Sequence, residues 1–425
     1  MKLNGNAFRG NAIVGQSGGP TAAINATLCG VIRGMLALAP EHKLYGMRNG
    51  VQGLLDSRVI DLTDRFTLAD GATPDEEALD ALAHTPAAAL GSCRKKLPAP
   101  DDAADAQLYE KMIAEFRARD IRTFFYIGGN DSMDTVAKLS AYTQKVGYPM
   151  TVIGVPKTID NDLEGTDHTP GFGSAAKYVA TTLQEIMLDC AVYTIPAVTI
   201  VEIMGRDAGW LTASAAIGHA VGGLVPDLVY LPERSFSMEQ FMSDVRAALE
   251  KHPNVVVAVS EGIRFADGTP VGASVQSGGQ ATDVFGHSAL AGAGKALEFA
   301  VKAEIGCKVR SVELNLPQRC AGHLLSATDI EESLRVGAGA VKAASEGITG
   351  VMMTIQRTST EPYVSEISHS PVAAIANMVR RVPDEFINEK GNHVTSACAR
   401  YLAPLIAGES APEYRGGLPV FFTFN

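Results

Sequence analysis

The sequence holds 425 residues, 46% hydrophobic and 20% charged, with a formal net charge of −11. That length exceeds one ordinary core and predicts two domains, or one large domain with additions. The acid excess argues against a nucleic-acid or anionic-membrane surface, so basic groups for an anionic substrate would have to be local. No apolar run is long enough for a transmembrane helix. Residues 1–5 lead almost directly into a strand, without room for a signal peptide. The six cysteines are scattered without a CxxC pair, which favours reduced thiols over a zinc or disulfide framework. A cytoplasmic location is therefore expected.

Residues 11–15 read as a short strand ending in Gly15-Gln16-Ser17-Gly18-Gly19-Pro20. The apolar-periodic segment 22–38 then reads as a helix with Thr21 as its N-cap. Strand, glycine loop and helix start make an anion site, because free amides point at the ligand; a tight structural turn accounts for the same residues. The loop has neither GxGxxG nor GxxxxGK[ST] spacing, which disfavours a Rossmann dehydrogenase. Residues 56–105 are less informative, but they contain Leu90-Gly91-Ser92-Cys93-Arg94-Lys95-Lys96. Three consecutive cations usually form a wetted face; they gain meaning only where the fold brings them to a phosphate loop.

A helix over 108–119 and a strand over 122–127 lead to Gly128-Gly129-Asn130-Asp131-Ser132, with a second helix predicted over 133–141. The glycines permit close backbone approach, and Asn130 and Asp131 can hold a metal or its waters. Asp131 can equally be an ordinary helix cap. The apolar run 150–155 reads as a buried parallel strand. It delivers Pro156-Lys157-Thr158-Ile159-Asp160-Asn161-Asp162, and ligands of open α/β sheets bind beyond such strand ends. A turn is satisfied by Gly, Asn and Ser; a lysine, a threonine and carboxylates at i and i+2 point to a catalytic loop.

A helix over 175–189 and a strand over 197–203 follow. That strand ends in Met204-Gly205-Arg206, an arginine placed to clamp a phosphate. An Ala-rich helix to 219, a strand over 228–231, a helix over 238–251 and a strand over 254–259 come next. The last of these delivers Ser260-Glu261-Gly262. Residues 268–292 are glycine-rich and read as a surface excursion. A strand over 307–314 leads to Pro317-Gln318-Arg319, then to a helix over 327–345, a strand over 350–355 and an apolar segment over 372–378.

Alternating strands and helices with functional groups at successive strand ends predict an α/β fold with doubly wound parallel sheets. These motifs, in this order from residue 11 to about 355, resemble the phosphofructokinase family. The resemblance implies two Rossmann-like doubly wound domains with the active site in the cleft between them. A donor domain would span 5–173 and about 318–425, with a sugar-phosphate domain at 174–317. It implies phosphoryl transfer to O1 of fructose 6-phosphate, with Mg²⁺, in a homodimer or homotetramer.

Asp131 and Lys157 stand where ATP-dependent members carry glycine, so the chain is similar to the pyrophosphate-dependent branch. A carboxylate at 131 would meet the α-phosphate of ATP. Two unit charges about 4 Å apart repel by roughly 4 kcal/mol at an effective dielectric of about 20. Pyrophosphate has nothing at that point, and Lys157 would neutralise charge on the phosphoryl in flight. By the same resemblance Asp160 is the general base and Asp162 assists at the metal. Thr158, Lys157 and Arg206 contact the reacting phosphoryl, and Asn130 or Asp131 is near the metal. Gly15, Gly18, Gly19, Arg94, Gly129 and Ser132 cradle the donor. Met204, Gly205, Glu261, Arg319 and Arg310 line the sugar phosphate, Arg310 from a neighbouring subunit.

Three positions depart from the family pattern. Asn130 replaces an aspartate linked to the metal, Leu316 a polar His or Tyr, and Ala197 an arginine that binds phosphate across subunits. An ATP-dependent phosphofructokinase and a non-catalytic sugar-phosphate sensor on the same fold are the alternative readings. The sensor would be expected to lack Asp160 or Arg206.

Overall fold

The computed structural model of the chain describes residues 8–100, 106–274 and 292–424. In chain order its main strands are β1 (Asn11–Gln16), β2 (Leu44–Met47), β3 (Val59–Asp61), β4 (Ile121–Gly128) and β5 (Thr151–Pro156). These are followed by β6 (Ala197–Ile203), β7 (Leu228–Tyr230), β8 (Asn254–Ser260), β9 (Lys308–Glu313), β10 (Leu325–Ser326), β11 (Val351–Thr360) and β12 (Tyr363–Pro371).

Seven strands make one sheet in the order β12-β11-β5-β4-β1-β2-β3, and four make a second in the order β7-β8-β6-β9. The smaller sheet is wholly parallel. The larger is parallel except for its edges, where β3 and β12 run antiparallel. Central strands such as β5 and β8 are continuous apolar runs because helices cover both faces, leaving no face for polar alternation. Phe125, Ile127, Ile153 and Val155 face the Ile24–Leu38 and Ala327–Ser345 helices. Phe124, Tyr126 and Val152 face the other way, toward Tyr109, Met112 and Phe116 of the Ala106–Ala118 helix.

The Ile24–Leu38 and Ala327–Ser345 helices touch backbone to backbone. A Cβ on Gly30 would fall 2.1 Å from the Leu334 carbonyl oxygen, and one on Gly337 would fall 2.2 Å from that of Thr27. Only glycine permits this approach.

Several elements differ from the sequence reading. Thr21 does not cap the first helix: Ala23 holds the N-cap position without a side-chain bond. Thr21 is instead packed where a Cβ on Gly171 would be. The helix expected from 133 begins at Asn130, with Gly129 at its N-cap, so Asn130, Asp131 and Ser132 occupy its first turn. Asp131 is therefore no cap; its carboxylate gains from the helix dipole instead. The Ala-rich helix to 219 is broken into Trp210–Ala213, a 3₁₀ turn at Ser214–Ala216, and Gly218–Val221. The strand expected over 350–355 continues to Thr360 and returns as β12 in an antiparallel hairpin. Of the glycine-rich stretch 268–292, residues 275–291 lie outside the described residues.

The C-terminal segment is shared between the sheets. Ile387, Val394, Cys398, Leu402 and Leu405 pack with Val201, Trp210 and Val229 of the smaller-sheet side, and the Val229 amide donates to the Asn392 carbonyl at 2.8 Å. Among the described residues, no helix is long and apolar enough to cross a membrane.

Candidate active site

The carboxyl ends of both sheets open onto a cleft of about 560 Å³. Gly18 and Gly19 reach it from β1, Gly129–Ser132 from β4, and Lys157, Thr158, Ile159, Asp160 and Asp162 from β5. Met204 and Arg206 come from β6, Glu261 from β8 and Arg319 from beyond β9. Groups widely separated in sequence meet here because parallel strands all end on one side of their sheet.

The donor side is built around the glycine loop. Ser92 Oγ donates to the Gly18 carbonyl at 2.6 Å, and the Gly18 amide donates to the Cys93 carbonyl at 3.2 Å. The cationic run is thereby brought against the loop, and Arg94 and Lys96 line the cleft. Lys157 spans from β5 and donates from Nζ to the Gly19 carbonyl at 2.6 Å. Asp131 lies opposite, with its carboxylate 3.1 Å from Lys96 Nζ.

The β5 loop is fixed by its backbone. The Lys157 amide donates to Gly128 and that of Thr158 to Pro170. Thr158 Oγ1 donates to Asp160 Oδ2 at 3.2 Å, and Thr169 Oγ1 donates to the Thr158 carbonyl at 2.7 Å. Asn161 takes a left-handed turn with φ 55° and accepts the Thr169 amide on its side chain at 3.0 Å. On the opposite wall the Met204 amide donates to Gln318 Oε1 at 3.1 Å, and Glu261 Oε1 accepts the Gly205 amide at 3.3 Å. Gly205 has φ 142°, and a Cβ there would lie 2.7 Å from the Ala208 carbonyl oxygen.

Burial outweighs pairing at four ionisable groups of this cleft. It lowers Lys157 to about 8, against the pull of Asp160 and Asp162. It raises Asp162 to about 7, with the Asp160 charge adding to the effect, and raises Asp160 in the same direction. Glu261 is pushed up to about 7, again by burial. Shifts toward the neutral form on several convergent groups in one cleft are the pattern of a functional site.

Two buried polar atoms in the cleft lack protein partners. Asn130 Oδ1 has no hydrogen-bond donor and Arg206 Nε no acceptor, so the cleft holds an orphan acceptor and an orphan cationic donor. The Asn130 amide also touches Asp162 Oδ2 at 3.4 Å. Among the described residues no three His, Cys, Asp or Glu side chains gather to hold a metal by themselves. The oxygens of Asn130, Asp162 and Asp160 nevertheless suit Mg²⁺, which binds one or two carboxylates and completes its shell with water and substrate phosphate.

Not every expected residue reaches the cleft. Gly15 is buried within β1, where a Cβ would strike Met47 at 2.3 Å, so its glycine serves packing. Arg310, expected to serve a neighbouring subunit, is exposed on β9 and lies with Ala197 and Asp189 in a depression apart from its own chain's cleft. Gly205 supports the wall without lining it. Arg319 does line the cleft, and its Nη1 would be 3.6 Å from a Cβ on Gly19. Lys96, Asp207, Asn377 and Val379 also line the cleft, without a role expected from the sequence. Lys96 was visible in the cationic run; Asn377 and Val379 carry no local motif.

The family model for Phosphofructokinase matches residues 11–344. The pyrophosphate–fructose 6-phosphate 1-phosphotransferase of Halomonas elongata is 43% identical over 412 residues, covering 96% of this chain and 94% of that protein. The protein of the same name from Xanthomonas campestris pv. campestris is 43% identical over 419 residues, covering 98% and 96%. The crystal structure of a pyrophosphate-dependent phosphofructokinase from Nitrosospira multiformis matches with a TM-score of 0.85 at 36% identity, over 97% of this chain and 95% of that one. With the family matched over most of its length and the fold shared, this chain belongs to the phosphofructokinase family.

Proposed function

We propose that this chain transfers a phosphoryl group from pyrophosphate to O1 of fructose 6-phosphate, reversibly, giving fructose 1,6-bisphosphate and phosphate. The names of its relatives support this reading. The observation that carries the donor is the placement of Asp131 and Lys157 on one cleft. Lys157 is held at the glycine loop, where a transferring phosphoryl needs positive charge. Asp131 adds negative charge where a longer donor would continue. Its Lys96 partner offsets part of that repulsion, so the block acts by shape as well as by charge.

In this reading Asp160 takes the proton from O1 of the sugar. Its raised affinity for protons suits a general base, and the Thr158 hydroxyl orients it. Arg206 offers its unpaired Nε to the phosphoryl oxygens. Asn130 and Asp162 would hold Mg²⁺, with Asp131 close by; the ion would neutralise charge on the phosphate oxygens. Gly18, Gly19, Gly129, Ser132 and Arg94 cradle the donor, while Met204, Glu261 and Arg319 receive the sugar phosphate. Arg310 would reach a neighbour's cleft in a cytoplasmic homodimer or homotetramer. The donor domain would take 5–173 and about 318–425, with residues 387–405 of that extension packed against the sugar domain, 174–317.

The test offers pyrophosphate or ATP, with fructose 6-phosphate and Mg²⁺, to wild type, Asp131→Gly, Lys157→Gly and the double variant. Wild type should use pyrophosphate. Asp131→Gly should admit ATP, Lys157→Gly should depress pyrophosphate turnover, and the double variant should shift furthest. An unaltered donor ratio in kcat/KM across the four proteins would sink the donor assignment.

A further inference from the structure

The segment after the β11–β12 hairpin borders the reaction site, since Asn377 and Val379 line the cleft. The next residue, Arg380, grips the back of the β5 loop. Its amide donates to the Asp162 carbonyl at 2.8 Å, and Nη1 donates to the Asn161 carbonyl at 3.5 Å. Its other contacts lead away from the loop. The guanidinium lies over the Trp210 ring, 4.2 Å from its centre, while the Arg380 carbonyl accepts from Trp210 Nε1 at 3.0 Å. Nη2 donates to the Tyr401 hydroxyl at 3.1 Å. Two residues on, the Val382 amide donates to Glu233 Oε1 at 2.9 Å. The same oxygen accepts the Gly209 amide at 2.8 Å. Trp210 and Gly209 follow Arg206 closely, so one short segment ties the loop of the larger sheet to the phosphate-clamping turn of the smaller.

The loop needs such a restraint. Asn161 sits in a left-handed conformation between the two carboxylates, and its side-chain Nδ2 is buried without an acceptor. Asparagine tolerates this conformation better than other side chains, but the turn still depends on local bonds, of which the Thr169 amide to Asn161 Oδ1 and the Arg380 contacts are the ones present. Relaxation of that turn would rotate Asp160 and Asp162 relative to each other.

We infer that Arg380 is a positioning residue for phosphoryl transfer, holding the Asn161–Asp162 backbone so that Asp160 and Asp162 face the reacting groups together. The inference rests on the reading of those carboxylates as the reacting pair. Substrate contacts come from other residues, so the effect should fall on kcat and spare KM. A misplacement of about 1 Å can cost on the order of a hundredfold in rate.

The experiment uses the full chain with pyrophosphate, fructose 6-phosphate and Mg²⁺. Arg380→Met keeps the stem and the main-chain bond to Asp162, and removes the guanidinium with its contact to the Asn161 carbonyl and its seat over Trp210; kcat should fall several-fold to roughly tenfold, with both KM values within about twofold. Arg380→Lys keeps a cation over Trp210 and should show a smaller fall of the same kind, which also carries the test if the methionine variant does not fold. Introduced into Asp160→Asn, Arg380→Met should lower the residual rate far less than it does in wild type. A wild-type kcat in both Arg380 variants beside an inactive Asp160→Asn would overturn the inference alone. So would an equal loss in both backgrounds, which marks a purely structural role. A fully active Asp160→Asn would remove the underlying reading, and the inference with it.

Discussion

Two ionic clusters lie within one stretch of chain, and they solve the problem of buried charge in opposite ways. At its start Lys157, Asp160 and Asp162 face the cleft, and burial drives each toward its neutral form. At its end His168 is only 2% exposed and is held between Asp167 at 2.8 Å and Glu332 at 2.6 Å. Arg357 Nη2 reaches the same Asp167 oxygen at 3.0 Å, and the Tyr363 hydroxyl completes Glu332 at 2.6 Å. Burial lowers His168, but its two carboxylate partners outweigh that and raise it to about 9. Asp167 and Glu332 are lowered, since pairing with the imidazolium and neighbouring groups exceeds their desolvation. The rear cluster is satisfied within the chain; the front one is left for a ligand to complete. On the proposed function, stability and catalysis are thus separated by a few residues, and substitutions should separate them too.

The largest expected effect is at the front. Asp160→Asn should lower kcat by roughly 10²–10⁴-fold, the usual contribution of a general base. The ligand-free protein should keep or gain thermal stability, because a buried charge whose desolvation exceeds its pairing is removed. Steady-state kinetics beside a melting curve checks both, and a large loss of Tm would break the comparison.

At the rear the signs reverse. Glu332→Ala leaves His168 with one carboxylate and should cost about 3–5 kcal/mol of stability, read from urea unfolding, while kcat of the folded protein changes little. Unchanged unfolding with collapsed activity would move this cluster into the reaction.

The pH dependence follows from His168. Its folded value of about 9 exceeds the unfolded 6.5, so the imidazolium's contribution is complete below the unfolded value and disappears as pH rises through the folded one. The loss amounts to about 3 kcal/mol. His168→Gln should flatten that part of the stability profile; a difference between wild type and variant that does not change with pH would refute the raised value.

The smallest effect concerns Arg319. Losing one charge-assisted contact costs about 1.5–3 kcal/mol, so Arg319→Ala should raise the KM for fructose 6-phosphate roughly tenfold or more. A rise confined to pyrophosphate would assign Arg319 to the donor side, where its guanidinium stands near Gly19.

The front cluster was the more legible of the two in the sequence. Apolar runs announced β5 and β8, and charge immediately after each announced a site at the strand end. The rear cluster joins His168 to Glu332, 164 residues apart, and no local pattern reports such a pairing. The β11–β12 hairpin escaped for a related reason: beyond Ile355 its residues alternate between half-exposed and exposed, so the apolar signal fades while the strand continues. Arg380 was invisible because its work is done on backbone carbonyls, which any sequence possesses. Asp131 was visible as a charge but not as a member of the helix's first turn, since Gly129 at the N-cap replaces the side-chain signal that normally marks a helix start.

The glycine contact between the Ile24–Leu38 and Ala327–Ser345 helices has a consequence for thermostability engineering. Glycine inside a helix is the usual target for replacement by alanine, a change worth about 1 kcal/mol in propensity. At Gly30 and Gly337 the added methyl would meet a carbonyl oxygen of the facing helix at 2.1 and 2.2 Å. Overpacking of this kind typically costs about 1–3 kcal/mol, so the propensity rule would give the wrong sign. The disturbance would also travel: the first of these helices follows the glycine loop, and the second carries Glu332. A library meant to harden this enzyme should leave both glycines untouched.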